Sequence, residues 1–450
     1  MDQITDFLST YSCNLTYEDL DPEVVHHIKR TIIDTLGCAV GGYLSEPGKI
    51  ARHIANNITS TLPSRILGTE NYSSIDMAGF ANGVMVRYLD CNDSYFSPGG
   101  GHPSDMIPAA LAMGDPFNAD GRTIITATAL AYEVFCRISD QVPDSPWDQG
   151  IFSVIGAACA AGKVMGLDKN YMANAISLAV VPNVPLRVTR MGELSMWKGC
   201  ASASATRSGL FAAQLASEGM TGPFEPFEGR KGLWDSALNR EISLDEFGGS
   251  KQPFRIMSNT FKFYPSQIHT QAPIGLAAEL HKQLDVADIK SIHIDSYHGA
   301  VSSASTEPEK WDPKTRETAD HSIPYLVAVG LQDGMVSPAS FTNERIQDPS
   351  LRTIINKMTI DENSDFTAKY PDEYNCKIEV QTLSGKTFTA ETSFPKGHKN
   401  NPLSDSEIND KFKRLATPTI TDEQCDMALG LLWDLESLES FDEIFDALVV

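Results

Sequence analysis

The stretch that most limits what this chain can become is its run of small apolar residues between positions 104 and 180. Ile124 to Val134 reads IITATALAYEV, and Ile155 to Met165 reads IGAACAAGKVM. Alanine and glycine at this density let helix backbones approach closely, as in a layered all-helical core. The N-terminal part points the same way. Asp21-Pro22-Glu23 is a helix start: a capping residue, a proline in the first turn and an acid at the positive end of the dipole. Val24, Ile28, Ile32 and Leu36 then repeat every four residues, and Gly41-Gly42 ends the pattern. Residues 2–45 therefore read as helical. Residues 46–74 read as a helix with a short extended piece from Ser64 to Leu67, and Ile75 to Leu89 as a further helix.

The character changes near residue 260. Lys290 to His298 (KSIHIDSYH) alternates like a strand, and Cys376 to Phe394 reads as a hairpin turning at Ser384-Gly385. From Pro402 the helical pattern returns, over Asp405 to Leu415 and Thr421 to Trp433. The expected fold is mainly α with an α+β insert. Residues 1–265 and 402–450 would build one large all-helical domain from both chain ends, and residues 266–401 a smaller α/β domain.

Charge and cysteine usage narrow the function classes. The formal net charge of -23 argues against non-specific nucleic-acid binding, which needs a basic surface. In so acidic a chain, individual lysines become informative. The eight cysteines are scattered, with no CxxC, no zinc-finger spacing and no grouping that would hold an iron–sulfur cluster. A reducing compartment follows. The first residues, MDQITDFLSTYSCN, lack the basic and apolar regions of a secretory signal, and no segment approaches the roughly 20 apolar residues of a membrane span. The expectation is a soluble, cytoplasmic protein. Gly156 to Lys163 has one residue too many for a phosphate loop and Val164 where Ser or Thr is needed; no GxGxxG follows a strand. Ser195 and Lys198 form an SxxK, but the SDN and KTG partners of that acyl-serine class are absent.

Four segments carry candidate chemistry. Tyr88 to Ala112 (YLDCNDSYFSPGGGHPSDMIPAALA) sets Asp90 and Asp93 three apart and delivers His102 after Gly99, Gly100 and Gly101. Such glycines let the chain close tightly around a molecule, and a histidine there can move protons near neutral pH. Taken alone, the pattern also suits a Gly/Pro loop with a capping Asp and a surface His. Leu194 to Gly222 places Lys198 beside Gly, Cys, Ala and Ser, which leave space around a cation; a snorkelling surface lysine is the plain alternative. Phe261 to Gln271 (FKFYPSQIHTQ) groups Lys262, Gln267 and His269, and Thr318 to Gly334 puts Asp320-His321 ahead of a helix bearing Tyr325.

Together these segments resemble the MmgE/PrpD family, which includes 2-methylcitrate dehydratases, cis-aconitate decarboxylases and an iminodisuccinate epimerase. The resemblance runs from about residue 5 to residue 440 in family order. It implies a helical domain made from both chain ends, an α/β lid with the site in the cleft between them, a homodimer, and no metal or organic cofactor. It puts the family's acidic position on Asp90, its small hydroxyl on Ser94, the loop histidine on His102, the two lysines on Lys198 and Lys262, and the lid tyrosine on Tyr325. Where decarboxylase members carry a histidine before an apolar helix, this chain has Gln149 or Gly150. Where they carry one five residues after the second lysine, it has Gln267, with His269 two residues later. KFYPSQIHTQ is closer to the dehydratase pattern K-x-x-P-A-E-x-H-x-Q.

The chemistry expected is dehydration of a small tricarboxylate such as 2-methylcitrate or citrate, through an enolate-like state. Such a reaction needs a base, an acid and positive charge on the carboxylates. His102 would move the proton in concert with Asp90. Lys198 and Lys262 would hold carboxylates and stabilise the enolate-like state, and Tyr325 would donate to the leaving hydroxyl, or to the carbon in a decarboxylase. Asp93, Ser94, Gln149, Gln267, His269 and His321 would line the substrate, with His321 also able to orient the tyrosine helix. Decarboxylation of cis-aconitate, epimerisation of a dicarboxylate and an inactive carboxylate-binding member are the competing readings.

Overall fold

The computed structural model of the chain describes residues 1–143, 146–249 and 252–450. Its contacts gather into two units: Met1–Thr189, Gly199–Asn259 and Ser404–Val450 form the first, Arg190–Lys198 and Thr260–Leu403 the second. The chain is mainly helical with an α/β part, as the small-residue runs and the alternating stretches imply.

In the first unit the helix Gly150–Val164 is buried from Gly150 through Gly162. It packs against Gly121–Ser139 on one side and Ala201–Ser217 on the other. The spacing explains the composition. A Cβ added at Gly209 would stand 2.8 Å from the Ala157 methyl and 2.8 Å from the Val154 carbonyl oxygen. No larger residue fits without pushing the helices apart, and every methyl kept out of water there contributes about 0.8 kcal/mol.

The expected helical span over residues 2–45 is two helices, Gln3–Asn14 and Pro22–Gly41. Proline cannot donate to a preceding turn, so Pro22 restarts the helix instead of continuing it. Asp21 takes the capping position with an extended backbone, but its side chain makes no capping bond. Val24, Ile28, Ile32 and Leu36 are all buried. The C-terminal helix Asp405–Ala416 packs on Pro22–Gly41. Lys411, 1% exposed, pairs with Asp34 and donates to the Cys91 carbonyl at 2.7 Å. That buried cation ties both chain ends to the loop carrying the candidate residues.

The second unit holds a four-stranded sheet in the order Met358–Glu362, Ile289–Ser296, Cys376–Thr382, Thr387–Thr392. The first pair is parallel and the others antiparallel. Ile292 faces Val380 and Ile294 faces Ile378, all buried. The helix Gln271–His281 covers the last two strands and packs against Ile323–Asp333. Among the described residues no helix is long and apolar enough to cross a membrane.

Candidate active site

The helix Ile75–Tyr88 delivers the first set of residues. Just beyond it Asp90 adopts a left-handed backbone (φ 50°), and its carboxylate pairs with the buried Arg87 guanidinium. Arg87 Nε also lies 3.8 Å from Asp105. Asp90 thus anchors the start of the loop through an arginine three residues back.

The loop then folds on itself. Tyr95 N–H donates to the Gly101 carbonyl at 2.8 Å, and Gly101 N–H to the Tyr95 carbonyl at 3.1 Å. Gly101 has φ 145°, and a Cβ there would meet Gln149 Oε1 at 2.1 Å. Only glycine admits that amide. Gln149 Oε1 accepts from the His102 backbone N–H at 2.7 Å; its Nε2 donates to Asp105 at 3.2 Å and to Ser202 at 3.0 Å. Expected as a substrate contact, Gln149 instead has its amide spent on holding the histidine backbone.

Asp93 is corrected in the same way. Its carboxylate is fully buried and accepts from the Ser104 N–H (3.2 Å), the Tyr132 hydroxyl (2.7 Å) and Asn259 Nδ2 (2.8 Å). Burial raises this carboxyl above its ordinary range, against the pull of the bonds from Ser104, Tyr132 and Asn259. No oxygen is left over for substrate; the group pins the loop. Its backbone carbonyl, however, serves the site: His102 Nδ1 lies 2.8 Å from it and 3.0 Å from Ser94 Oγ. A carbonyl only accepts, so Nδ1 carries a proton, and in the neutral ring the lone pair is on Nε2. Ser94 therefore orients the imidazole, where the resemblance had implied a substrate hydroxyl.

The second set lies in the second unit. Lys198, 1% exposed, places its Nζ 3.2 and 3.1 Å from the two Asp320 oxygens. Arg316 reaches the same carboxylate at 3.2 Å, and His321 Nδ1 bonds it from the next position. Burial alone would raise Asp320; Lys198, then His321 and Arg316, outweigh it and hold the carboxyl below its usual range. Asp320 and His321 are adjacent donors of the kind a cation would use, and Lys198 and Arg316 already occupy the carboxylate.

Nearby, Lys262 is fully buried. His269 Nδ1 meets the Tyr297 hydroxyl at 2.6 Å. Burial, then the charges of His321 and Lys262, push this imidazole down to about 4. Gln267 donates its backbone N–H to the Asp320 carbonyl (2.9 Å) and its Nε2 to Ser303 (3.3 Å), while its buried Oε1 has no hydrogen-bond partner among the described residues.

Tyr325 does not join this group. It is fully buried, its hydroxyl donates to the Ser340 carbonyl, and its ring packs against Phe341. Burial raises the phenol, and the charges that act on it are Arg345, Arg352, Asp333 and Asp348. The tyrosine expected to protonate the leaving group is part of the helix packing. Sequence reasoning missed Arg87, Arg316 and Tyr297. The two arginines stand three before Asp90 and four before Asp320, spacings that bring side chains together on a helix. Tyr297 has no local signal, being 28 residues from its partner.

Comparison with known proteins adds the following. The model of the MmgE/PrpD N-terminal domain matches residues 6–244, and that of the MmgE/PrpD C-terminal domain residues 264–435. The chain is 24% identical over 452 residues to a cis-aconitate decarboxylase of Homo sapiens, covering 97% of this chain and 92% of that protein. It is 25% identical over 397 residues to a 2-methylcitrate dehydratase of Salmonella typhimurium, covering 82% and 80%. A 2-methylcitrate dehydratase of Cupriavidus necator is 27% identical over 410 residues, covering 82% and 81%.

Proposed function

The chain belongs to the MmgE/PrpD family, and from that premise we propose that it is a cofactor-independent lyase dehydrating a hydroxylated tricarboxylate such as 2-methylcitrate or citrate. The observation that carries this reading is the cluster of largely buried cationic groups in the second unit: Lys198, Arg316 and His321 share one carboxylate, with Lys262 buried as well. In a chain of net charge -23, that concentration of positive charge suits a polyanionic substrate. Cations fixed before the reaction also stabilise the charge that spreads from carbon onto a carboxylate as its α-proton leaves.

His102 takes that proton on Nε2, the nitrogen left basic once Nδ1 donates to the Asp93 carbonyl. The C–O bond then breaks and the departing hydroxide leaves as water, receiving its proton from the His321 imidazolium beside Asp320. The electron pair of the broken C–H bond becomes the new C=C bond. The buried, unpartnered Oε1 of Gln267 favours a substrate that carries a hydroxyl donor. Decarboxylation of cis-aconitate is the second reading, supported by the name of the human relative.

Eight free thiols suit a reducing compartment such as the cytoplasm. Exposed apolar residues, including Leu186 (60%), Val188 (70%) and Phe224 (72%), suit a homodimer.

Proton NMR of hydroxy- and unsaturated di- and tricarboxylates incubated with the protein in D₂O tests the proposal. Dehydration shows as a new vinylic or allylic resonance, decarboxylation as loss of a carbon, and epimerisation as α-proton exchange. Tricarboxylate binding without turnover would instead indicate an inactive carboxylate-binding member. His102→Ala should retain the fold and lose about 10²–10⁴-fold in kcat; near-normal kcat would end the assignment.

A further inference from the structure

Tyr297 follows the strand Ile289–Ser296. Its ring is 1% exposed, stacked on Tyr370 at 4.8 Å and 13°, with Tyr374 at 6.0 Å. A buried phenol needs an acceptor for its proton. Among the described residues its hydroxyl has one hydrogen-bond partner, His269 Nδ1 at 2.6 Å. Burial raises the Tyr297 phenol well above its ordinary value, so the hydroxyl keeps its proton. The imidazole is uncharged near neutral pH, because burial and then the His321 and Lys262 charges lower it. A neutral ring carries one proton. With Nδ1 accepting from Tyr297, that proton sits on Nε2.

We propose that Tyr297 is a positioning residue that locks His269 in the Nε2–H tautomer, making it a neutral hydrogen-bond donor to a substrate oxygen beside Lys262 and His321. Its role for substrate rests on the lyase reading above; its effect on the tautomer does not. The arrangement is the reverse of that at His102, where Nδ1 donates and Nε2 is left basic. A further cation would be repelled by Lys262 and His321, whereas an uncharged N–H adds a directional contact without that repulsion.

Long-range ¹H–¹⁵N correlation spectra of protein labelled at histidine nitrogen, assigned with His269→Gln, read the tautomer directly. The expected result is an unprotonated Nδ1 and a protonated Nε2 at neutral pH. Tyr297→Phe keeps the stacked ring, removes the donor, and should give mixed tautomers with a kcat loss of about tenfold or more. A protonated Nδ1 in the unsubstituted protein overturns the proposal, as does an unchanged spectrum or unchanged kcat in Tyr297→Phe. A second pair of variants stands if that one fails to fold. The amide nitrogen of glutamine can mimic Nε2–H and that of asparagine Nδ1–H, so His269→Gln should retain more activity than His269→Asn; the opposite order refutes the assignment. The spectrum is read without turnover. A wrong tautomer and a wrong substrate class are therefore separate failures.

Discussion

Replacing Gln149 by alanine tests how the loop that carries His102 is held. Position 149 reads from sequence as a substrate contact, so Gln149→Ala should raise KM. In the structure the side chain accepts from the His102 N–H at 2.7 Å and donates to Asp105 and Ser202. Its removal leaves a partly buried backbone N–H without its acceptor, at a cost of about 1–3 kcal/mol. His102 lies in an intermediate environment, so water recovers part of that and the lower half of the range applies. Thermal unfolding should fall by about 2–4 °C per kcal/mol or somewhat less in a chain of this length. The larger effect is on rate. A displacement near 1 Å of a catalytic group costs about 10²-fold, and the loop is held at His102 by this amide on the backbone and by Asp93 and Ser94 on the ring. The expected outcome is a kcat reduced 10- to 100-fold, on the order of that figure, with KM close to unchanged. Steady-state kinetics and a melting curve suffice. A raised KM with kcat intact would refute the clamp and restore Gln149 to the substrate. Gln149→Glu provides a second check. It keeps an acceptor for His102 but sets a carboxylate against Asp105, so it should lose activity most at high pH, where both are charged.

Three further outcomes follow from the second unit. Lys198→Ala removes one of three cationic partners from buried Asp320; KM should rise roughly 10- to 100-fold, the worth of one charge-assisted contact, and an unchanged KM and kcat would return Lys198 to a structural role. Tyr325→Phe should leave kcat unchanged and cost about 1–3 kcal/mol of stability, because the buried Ser340 carbonyl loses its donor; a large drop in kcat with the melt unchanged would restore the tyrosine to catalysis. His269 has a folded pKa of about 4 against an ordinary 6.5. Between those values the unfolded chain binds a proton that the folded chain refuses, so the group's stabilising contribution is complete above about 6.5 and lost as pH falls toward 4. His269→Asn should therefore lose less of its melting temperature over that window than the unsubstituted protein, and parallel curves would disprove the shift.

The helical frame was legible because its signals are local and repeated. Val24, Ile28, Ile32 and Leu36 declare one face of one helix, and the alanine-glycine runs declare a close approach that Gly209 and Ala157 make real. The restart of the helix at Pro22 was legible too, since Asp21-Pro22-Glu23 is a helix start and the second helix begins there. At the site, residue types were legible and partners were not. Asp90 and Asp93 look alike in sequence, yet one pairs with an arginine and the other is closed off by Ser104, Tyr132 and Asn259, the last of them 166 positions away. Tyr325 sits in a segment that resembles a catalytic one, and what removes it from the chemistry is a carbonyl 15 residues further on.

The three histidines carry that point into mechanism. His102, His269 and His321 are the same side chain, and only at His321 does a sequence neighbour, Asp320, supply the partner that bears on the role. In each, the partner of Nδ1 bears on the role. A backbone carbonyl at His102 makes Nδ1 a donor and leaves Nε2 the base. A carboxylate at His321 also makes Nδ1 a donor, and it stabilises the ring when a second proton adds charge. A phenol at His269 makes Nδ1 an acceptor and Nε2 a neutral donor. The proposed dehydration would use all three behaviours. If the roles follow from these partners, exchanging the partner should alter the behaviour while the histidine stays in place. Tyr297→Phe does this at His269, and Asp320→Asn does it at His321, where the charge that favours the imidazolium disappears but a hydrogen-bond acceptor remains. The second substitution should lower the pH at which the alkaline limb of kcat falls away, with Lys198 still bound to an amide oxygen. An alkaline limb that does not move would mean that His321 is not the group that protonates the leaving hydroxyl.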